Sequence, residues 1–114
     1  MTLTDVLGKV LLALPLLMAD PAYAQDEDEI VVQRLSDTVS VLFSGGGNIG
    51  VSAGPDGVFI IDDQYQGDGE KIAKAVAGIT DQPIDYVLNT HWHFDHAGSN
   101  EYFGHGGSTI IAHD

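Results

Sequence analysis

Three things are scarce in this sequence: cysteine, positive charge and long apolar runs. None of the 114 residues is cysteine, so the chain offers neither a lipid-attachment residue nor a disulfide and must be held together by packing and by any bound metal. Only four Lys and Arg stand against 17 Asp and Glu. Because binding to a polyanion depends on clustered basic side chains, this balance disfavours both nucleic acid and anionic membrane surfaces as partners.

The longest apolar run covers residues 10–19, near the N-terminus, and it is interrupted by Pro15. A membrane-spanning helix needs about 20 apolar residues, so a membrane anchor is the weaker interpretation. The run is followed by Ala22-Tyr23-Ala24, a small-x-small pattern of the type that signal peptidase cleaves. We therefore predict a signal peptide over residues 1–24 and a periplasmic or secreted protein, although a single basic residue, Lys9, precedes the run where more positive charge is typical.

Cleavage at that point leaves an acidic tail, residues 25–29, which we interpret as a solvated N-terminus rather than a site. The mature chain then carries 15 acidic side chains against Arg34, Lys71 and Lys74, a formal charge of -12. A small molecule is the partner class that this composition favours. The oligomeric state is not readable from the sequence.

Short segments rich in Val, Ile and Leu alternate with glycine-containing turns after the acidic tail. They predict four antiparallel strands, over residues 30–35, 39–43, 49–53 and 58–61. Helical spacing of apolar residues then predicts a helix over 70–77, followed by a strand at 84–88, a short helix at 98–103 and a strand at 109–112. Strands followed by strand-helix-strand alternation predict an α/β sandwich with the sheet inside and helices outside.

Three of the five histidines fall within six residues, directly after the strand predicted at 84–88. Loops at the ends of strands commonly carry catalytic groups, because a rigid sheet fixes them without burying them. In an extended segment alternate side chains lie on one side, so the first two histidines can bind one metal ion while the next carboxylate and histidine serve a second. The predicted metal ligands are His91, His93, Asp95 and His96.

This donor set predicts one or two zinc ions, which lower the pKa of water for metal-assisted hydrolysis, with Asp95 also predicted to be catalytic. Alternatives stay open at the level of single residues. Asp95 can be the N-cap of the following helix, and the histidines can be surface residues of a polar loop. Trp92 and Phe94 are interpreted as core anchors, and the isolated His105 and His113 as surface residues.

The stretch from His91 to Gly98 resembles the His-x-His-x-Asp-His signature of the metallo-β-lactamase superfamily. The resemblance extends upstream to the turn Gly54-Pro55-Asp56-Gly57 and to the strand that leads into Asp62 and Asp63. By that match Asp62 would be the family's aspartate that holds the metal loop in position; without it, the two aspartates are a simple strand-end turn. Membership implies an αββα sandwich of two similar halves, of which residues 30–114 are the first.

The family pattern continues with a third histidine, a bridging aspartate and a last histidine, none of which can be placed in this chain. His113 lies too close to the signature to take such a role. The resemblance implies a zinc-dependent, β-lactamase-like hydrolase whose carboxyl-terminal half lies outside this sequence, acting on a lactam, thioester, lactone, phosphoester or sulfur compound. The predicted signal peptide adds the expectation that this hydrolase is exported. Two other hypotheses remain: a non-catalytic periplasmic metal-binding module, and a truncated product without activity of its own.

Overall fold

The computed structural model describes residues 29–114, so the predicted signal peptide and most of the acidic tail lie outside the described residues. The described part holds six strands and three helices. In chain order they are β1 (Val31–Arg34), β2 (Val39–Ser44), β3 (Gly47–Gly54), β4 (Gly57–Ile61), α1 (Gly69–Ala77), β5 (Tyr86–Leu88), α2 (Phe94–Ala97), α3 (Asn100–His105) and β6 (Thr109–Ile111). The predicted elements are present to within a few residues, and the helix predicted at 98–103 corresponds to α3, whereas α2 was not predicted.

One mixed sheet contains all six strands in chain order. The first four form an antiparallel meander, whereas β5 and β6 each pair in parallel with the strand before them. Gly57 turns the chain into β4 with a φ of +117°, and a Cβ there would lie 2.7 Å from Oδ2 of Asp85. That carboxylate accepts a hydrogen bond from the backbone N–H of Val58, which fixes the start of β4.

The hydrophobic core lies between one face of the sheet and helices α1 and α3. Its fully buried members come from alternate positions of the strands and from one side of each helix: Leu42, Ile49, Val51, Val58, Ile60, Ile72, Val76, Val87 and Phe103. These positions meet because alternate residues of a strand lie on the same face of the sheet, and because Ile72 and Val76, four residues apart, lie on the same side of α1. Burying such side chains is worth about 1.5–3 kcal/mol each.

The opposite face of the sheet is also apolar but remains partly exposed. Val39 and Phe43 of β2, Ile61 of β4 and Ile111 of β6 are between 37% and 46% exposed. Phe59 and Tyr86 stack on the same face with ring centroids 4.8 Å apart. Within residues 29–114, the described chain therefore buries one face of its sheet well and the other only in part.

Because β4 and β5 run in parallel, their carboxyl ends meet at one edge of the sheet. The segment 62–68 follows β4, and the histidine segment follows β5, so both emerge at this edge. Ligand sites of α/β sheets occur in this position. Among the described helices, none has the length and apolar character needed to cross a membrane.

Candidate metal centre

The turn after β4 has a backbone conformation that is unusual for residues other than glycine. Asp62 and Gln64 have φ values of 66° and 58°, in the left-handed region. Such positions cost about 1–3 kcal/mol each and persist where surrounding contacts fix them. The Gln64 side chain supplies such contacts, donating to the carbonyl of Gly47 at 2.6 Å and accepting from the Ser44 hydroxyl at 2.9 Å.

The left-handed turn directs the Asp62 carboxylate at the loop that follows β5. Its Oδ1 accepts from the backbone N–H of Thr90 at 2.8 Å. Its Oδ2 lies 2.8 Å from Nδ1 of His96, and the Thr90 hydroxyl contacts both oxygens at 2.8 and 3.0 Å. Asp62 is 6% exposed, so this nearly buried carboxylate is satisfied by donors of the histidine segment.

Backbone hydrogen bonds hold the two segments together at several further points. Asp63 N–H donates to the carbonyl of His96 at 2.9 Å, and Gly98 N–H donates to the carbonyl of Gln64 at 2.8 Å. The buried Ser99 hydroxyl donates to the carbonyl of Tyr65 at 2.6 Å. The histidine segment is thus fixed by the preceding turn rather than by its own short helix.

Asp63 is a buried carboxyl group beside this junction. Its Oδ1 accepts from the backbone N–H of Ser99 at 3.0 Å, whereas its Oδ2 is buried without a hydrogen-bond partner in the described structure. Burial raises the pKa of Asp63 to about 6, with a smaller contribution from the charge of Asp62, against the lowering effect of the Ser99 N–H.

The structure brings the three histidine rings close together. The ring centroid of His91 lies 4.1 Å from that of His96 and 4.7 Å from that of His93. His96 Nε2 lies 3.4 Å from Oδ2 of Asp95. The sequence argument separated the first pair of ligands from the second, whereas in the structure His96 is the nearer neighbour of His91.

The donor chemistry fits zinc. Because the Asp62 carboxylate faces Nδ1 of His96, that nitrogen carries the proton; in a neutral ring the lone pair is then on Nε2, which lies beside the Asp95 carboxylate. The number of donors falls short: within residues 29–114, no group of three or more His, Asp or Glu side chains is arranged so that it could hold a metal ion. The ligand set His91, His93, Asp95 and His96 therefore stays a prediction.

Two interpretations from the sequence are wrong. Trp92 and Phe94, expected to be core anchors, are 84% and 74% exposed, because the tight turn into α2 leaves both rings on the solvent side. Asp95 is not an N-cap: α2 begins at Phe94 and His93 occupies the cap position. The Trp92 ring packs edge-on against that of His93, with ring centroids 4.7 Å apart, so Trp92 lies beside a predicted ligand.

The remaining two histidines are exposed, as the sequence suggested. His105 ends α3 and is exposed. His113 is exposed too, and its Nδ1 lies 2.7 Å from the carbonyl of Asp114.

Sequence reasoning missed several polar residues that support the histidine segment. Asn89 Nδ2 lies 3.4 Å from the carbonyl of His96, and Asn100 Nδ2 donates to Oδ1 of Asn89 at 2.8 Å. Thr90 contacts both Asp62 and His91. The signal in the sequence was the polar pair Asn89-Thr90 between a strand and the histidines. It did not identify the partners of this pair, because several of them are distant in the chain.

Comparison with known proteins gives a consistent result. The model of the metallo-β-lactamase superfamily matches residues 42–113. The fold is similar to that of a metallo-β-lactamase from Pontibacter korlensis (TM-score 0.63, 19% identity, 75% of this chain and 44% of that one). It is also similar to a motif mutant of the metallo-β-lactamase from Cronobacter sakazakii (TM-score 0.62, 20% identity, 72% of this chain and 34% of that one). A third similar structure is the DIM-1 metallo-β-lactamase (TM-score 0.60, 18% identity, 74% of this chain and 42% of that one).

The chain thus spans less than half the length of these solved structures. The six-stranded mixed sheet with its helices on one face matches part of their fold, and the predicted α/β class is confirmed. By the family match over most of its described residues, the chain belongs to the metallo-β-lactamase superfamily and holds a partial metallo-β-lactamase fold.

Proposed function

We propose that this chain supplies the N-terminal, ligand-bearing half of an exported, zinc-dependent hydrolase. The observation that carries the proposal is the contact of 2.8 Å between the Asp62 carboxylate and Nδ1 of His96, beside the ring of His91 at 4.1 Å. Carboxylate-to-imidazole contacts of this kind orient metal-binding histidines and raise their basicity. A histidine that served only the surface of a polar loop would not need a nearly buried carboxylate to aim it.

Each predicted ligand has a defined part in the proposal. His91 and His93 would bind one ion, and Asp95 and His96 would complete the set on the same edge of the sheet. Bound zinc supplies Lewis acidity and makes water acidic enough to be deprotonated near neutral pH. The carboxylate of Asp95 is about one third exposed, so it is accessible for accepting a proton from water at the site.

In the proposal, residues outside 29–114 complete the site. The described residues hold no group of three donors able to bind an ion, and the similar solved chains are more than twice as long as the segment matched here. We propose that a further half, packed against the open face of the sheet, supplies the remaining ligands.

The substrate proposed is a small molecule with a hydrolysable carbonyl or phosphoryl group. The formal charge of -13 disfavours polyanionic substrates such as nucleic acid. Because the similar solved proteins are named metallo-β-lactamases, a β-lactam belongs in the first substrate panel, beside a thioester.

Metal analysis and hydrolysis assays on the complete polypeptide test the proposal. The wild type is expected to carry one or two zinc ions and to hydrolyse a chromogenic cephalosporin or a thioester. Replacing His91, His93, Asp95 and His96 together by alanine should remove both properties, whereas replacing the exposed His105 and His113 should change neither. A complete protein without metal, or one whose activity survives the first variant, would overturn the proposal.

A second candidate is metal binding without turnover. It is favoured by the incomplete donor set of the described residues. Zinc bound at full stoichiometry by a complete protein that hydrolyses none of the panel would support it over the hydrolase.

Export is a separate part of the proposal and has its own test. Cleavage after Ala24 predicts that the mature protein begins at Gln25. N-terminal sequencing of protein recovered from the periplasm or the medium should give this residue, and protein found only in the cytoplasm, with Met1 retained, would contradict export.

A further inference from the structure

The Thr90 side chain occupies a bridging position between two groups of the candidate metal centre. Its hydroxyl lies 2.8 Å from Oδ2 and 3.0 Å from Oδ1 of Asp62. The same oxygen lies 2.9 Å from Nδ1 of His91. Its backbone N–H also donates to Asp62, at 2.8 Å, so the residue is fixed at both ends.

The proton inventory of these contacts favours one arrangement, because the Thr90 hydroxyl lies within hydrogen-bond distance of both oxygens of Asp62 but of only one nitrogen of His91. An ionised carboxylate only accepts hydrogen bonds, so the single hydroxyl proton of Thr90 points to Asp62. The Thr90 oxygen then has only lone pairs left for His91, and Nδ1 of His91 must carry a proton in order to donate to it. In a neutral ring this leaves Nε2 of His91 with its lone pair free.

We propose that Thr90 is a positioning residue that relays the Asp62 carboxylate to His91. One carboxylate then sets the tautomer of two imidazoles, His96 by direct contact and His91 through the Thr90 hydroxyl. The purpose of the relay, which is to present Nε2 of both rings to zinc, rests on the proposed function. The relay itself is a property of the metal-free protein and is testable there.

His93 provides an internal comparison. Its ring contacts those of His91 and Trp92, and it makes no side-chain hydrogen bond within the described residues. The relay therefore predicts a fixed Nδ1–H tautomer for His91 and His96. It predicts no such restriction for His93.

The direct test is to determine the tautomer of each histidine in the complete, metal-free protein. Long-range ¹H–¹⁵N correlation spectra report the tautomer, and they are recorded at a pH high enough for the rings to be neutral. Wild type should show His91 and His96 with the proton on Nδ1. T90V keeps the shape but removes the hydroxyl, so His91 should shift towards a mixture of tautomers while His96 stays fixed. T90S should restore the wild-type state, and T109V, at an exposed strand position, should leave all rings unchanged.

Zinc affinity measured by competition with a chelating dye is the second readout. T90V is expected to bind about tenfold more weakly, the lower end of the effect of removing a group that orients a ligand. T90S and T109V should bind like wild type. A wild-type His91 with its proton on Nε2, or a T90V variant with unchanged tautomer and affinity, would overturn the relay.

The two proposals fail in different ways. A wild type that binds no zinc, yet shows the Nδ1–H tautomer of His91 and loses it in T90V, contradicts the proposed function and supports the relay. Normal zinc binding with an unaffected T90V contradicts the relay alone. Should T90V not fold, the wild-type tautomer and the T90S spectrum still decide the question.

Discussion

Asp62 is the residue on which the arrangement of the histidine segment depends most. It accepts from Thr90 and His96 while its own backbone is held in the left-handed region. Aspartate tolerates this conformation better than most residues, and its short side chain reaches the neighbouring loop directly. The sequence left two alternatives for Asp62, a strand-end turn and a residue that holds the neighbouring loop in position. In the structure Asp62 is part of a strand-end turn and also binds the histidine segment.

Replacing Asp62 by Asn should weaken zinc binding about 10- to 100-fold in the complete protein. The amide has one acceptor oxygen and places an NH₂ group against either the Thr90 hydroxyl or the His96 N–H, so at least one donor loses its partner. Competition with a chelating dye measures the affinity. D85N is the matched control, because the Asp85 carboxylate accepts from Val58 near the start of β4 and should affect folding only. Equal losses of affinity in both variants would contradict the role given to Asp62.

Asp63 should give the stability of the metal-free protein a specific dependence on pH. Its pKa is raised from 3.8 to about 6, so the folded state holds the proton more tightly than the unfolded chain. This contribution favours folding below pH 3.8 and is lost as the pH rises through about 6. The free energy of unfolding of wild type relative to D63N should therefore fall across that range and stay constant above about pH 7. Urea unfolding at several pH values measures it, and parallel curves for the two proteins would contradict the raised pKa.

At the scale of elements, the short helix α2 is held from outside. It has four residues, too few for an isolated helix to be stable, and no side-chain cap. Instead, the carbonyl of His96 in α2 accepts a hydrogen bond from Asp63 N–H, and Gly98 N–H, just after the helix, donates to the carbonyl of Gln64. This explains why periodicity located the strands, α1 and α3 but missed α2: a four-residue helix has no period to detect, and its partners are some thirty residues away.

Gly98 is where these two segments approach most closely. A Cβ at this position would lie 2.5 Å from the backbone N of Gln66 and from the carbonyl O of Phe94, and 2.6 Å from the carbonyl O of Gln64. Because all three are backbone atoms, G98A should destabilise the protein by about 1–3 kcal/mol and weaken zinc binding by displacing the loop.

Gly104 provides the matched control for that variant. It lies in α3, and the nearest atom to an added Cβ is 3.9 Å away. G104A should raise stability by about 0.5–1 kcal/mol, since alanine is the better helix former. Chemical unfolding of the two variants compares them, and a G98A protein as stable as wild type would show that the segments are not packed as described.

At the scale of the whole molecule, the sequence predicted the α/β class and the position of the histidine segment directly after a strand. Alternating apolar positions and the order of elements carry these predictions. The sequence did not predict the exposure of Trp92 and Phe94. Apolar character at alternate positions does not say which of two faces is covered, and here it depends on a local turn of the chain.

The two faces of the sheet differ in a way that can be tested on residues 29–114 alone. Leu42 is fully buried under the helices, whereas the adjacent Phe43 is 37% exposed and Ile61, on the same face as Phe43, is 46% exposed. An apolar surface of this kind, left open, favours association. The isolated segment is therefore expected to bind a hydrophobic dye such as ANS and to self-associate in sedimentation experiments.

Substitution on the open face should relieve this association. The double variant F43T/I61T keeps residues that suit strands but lowers the apolar area of the open face, so dye binding and self-association should both decrease. L42T is the matched control one position away: it removes a core side chain, and it should unfold the segment rather than improve its solubility. A wild-type segment that is monomeric, binds no dye and unfolds in one sharp thermal transition would show that the second face needs no cover.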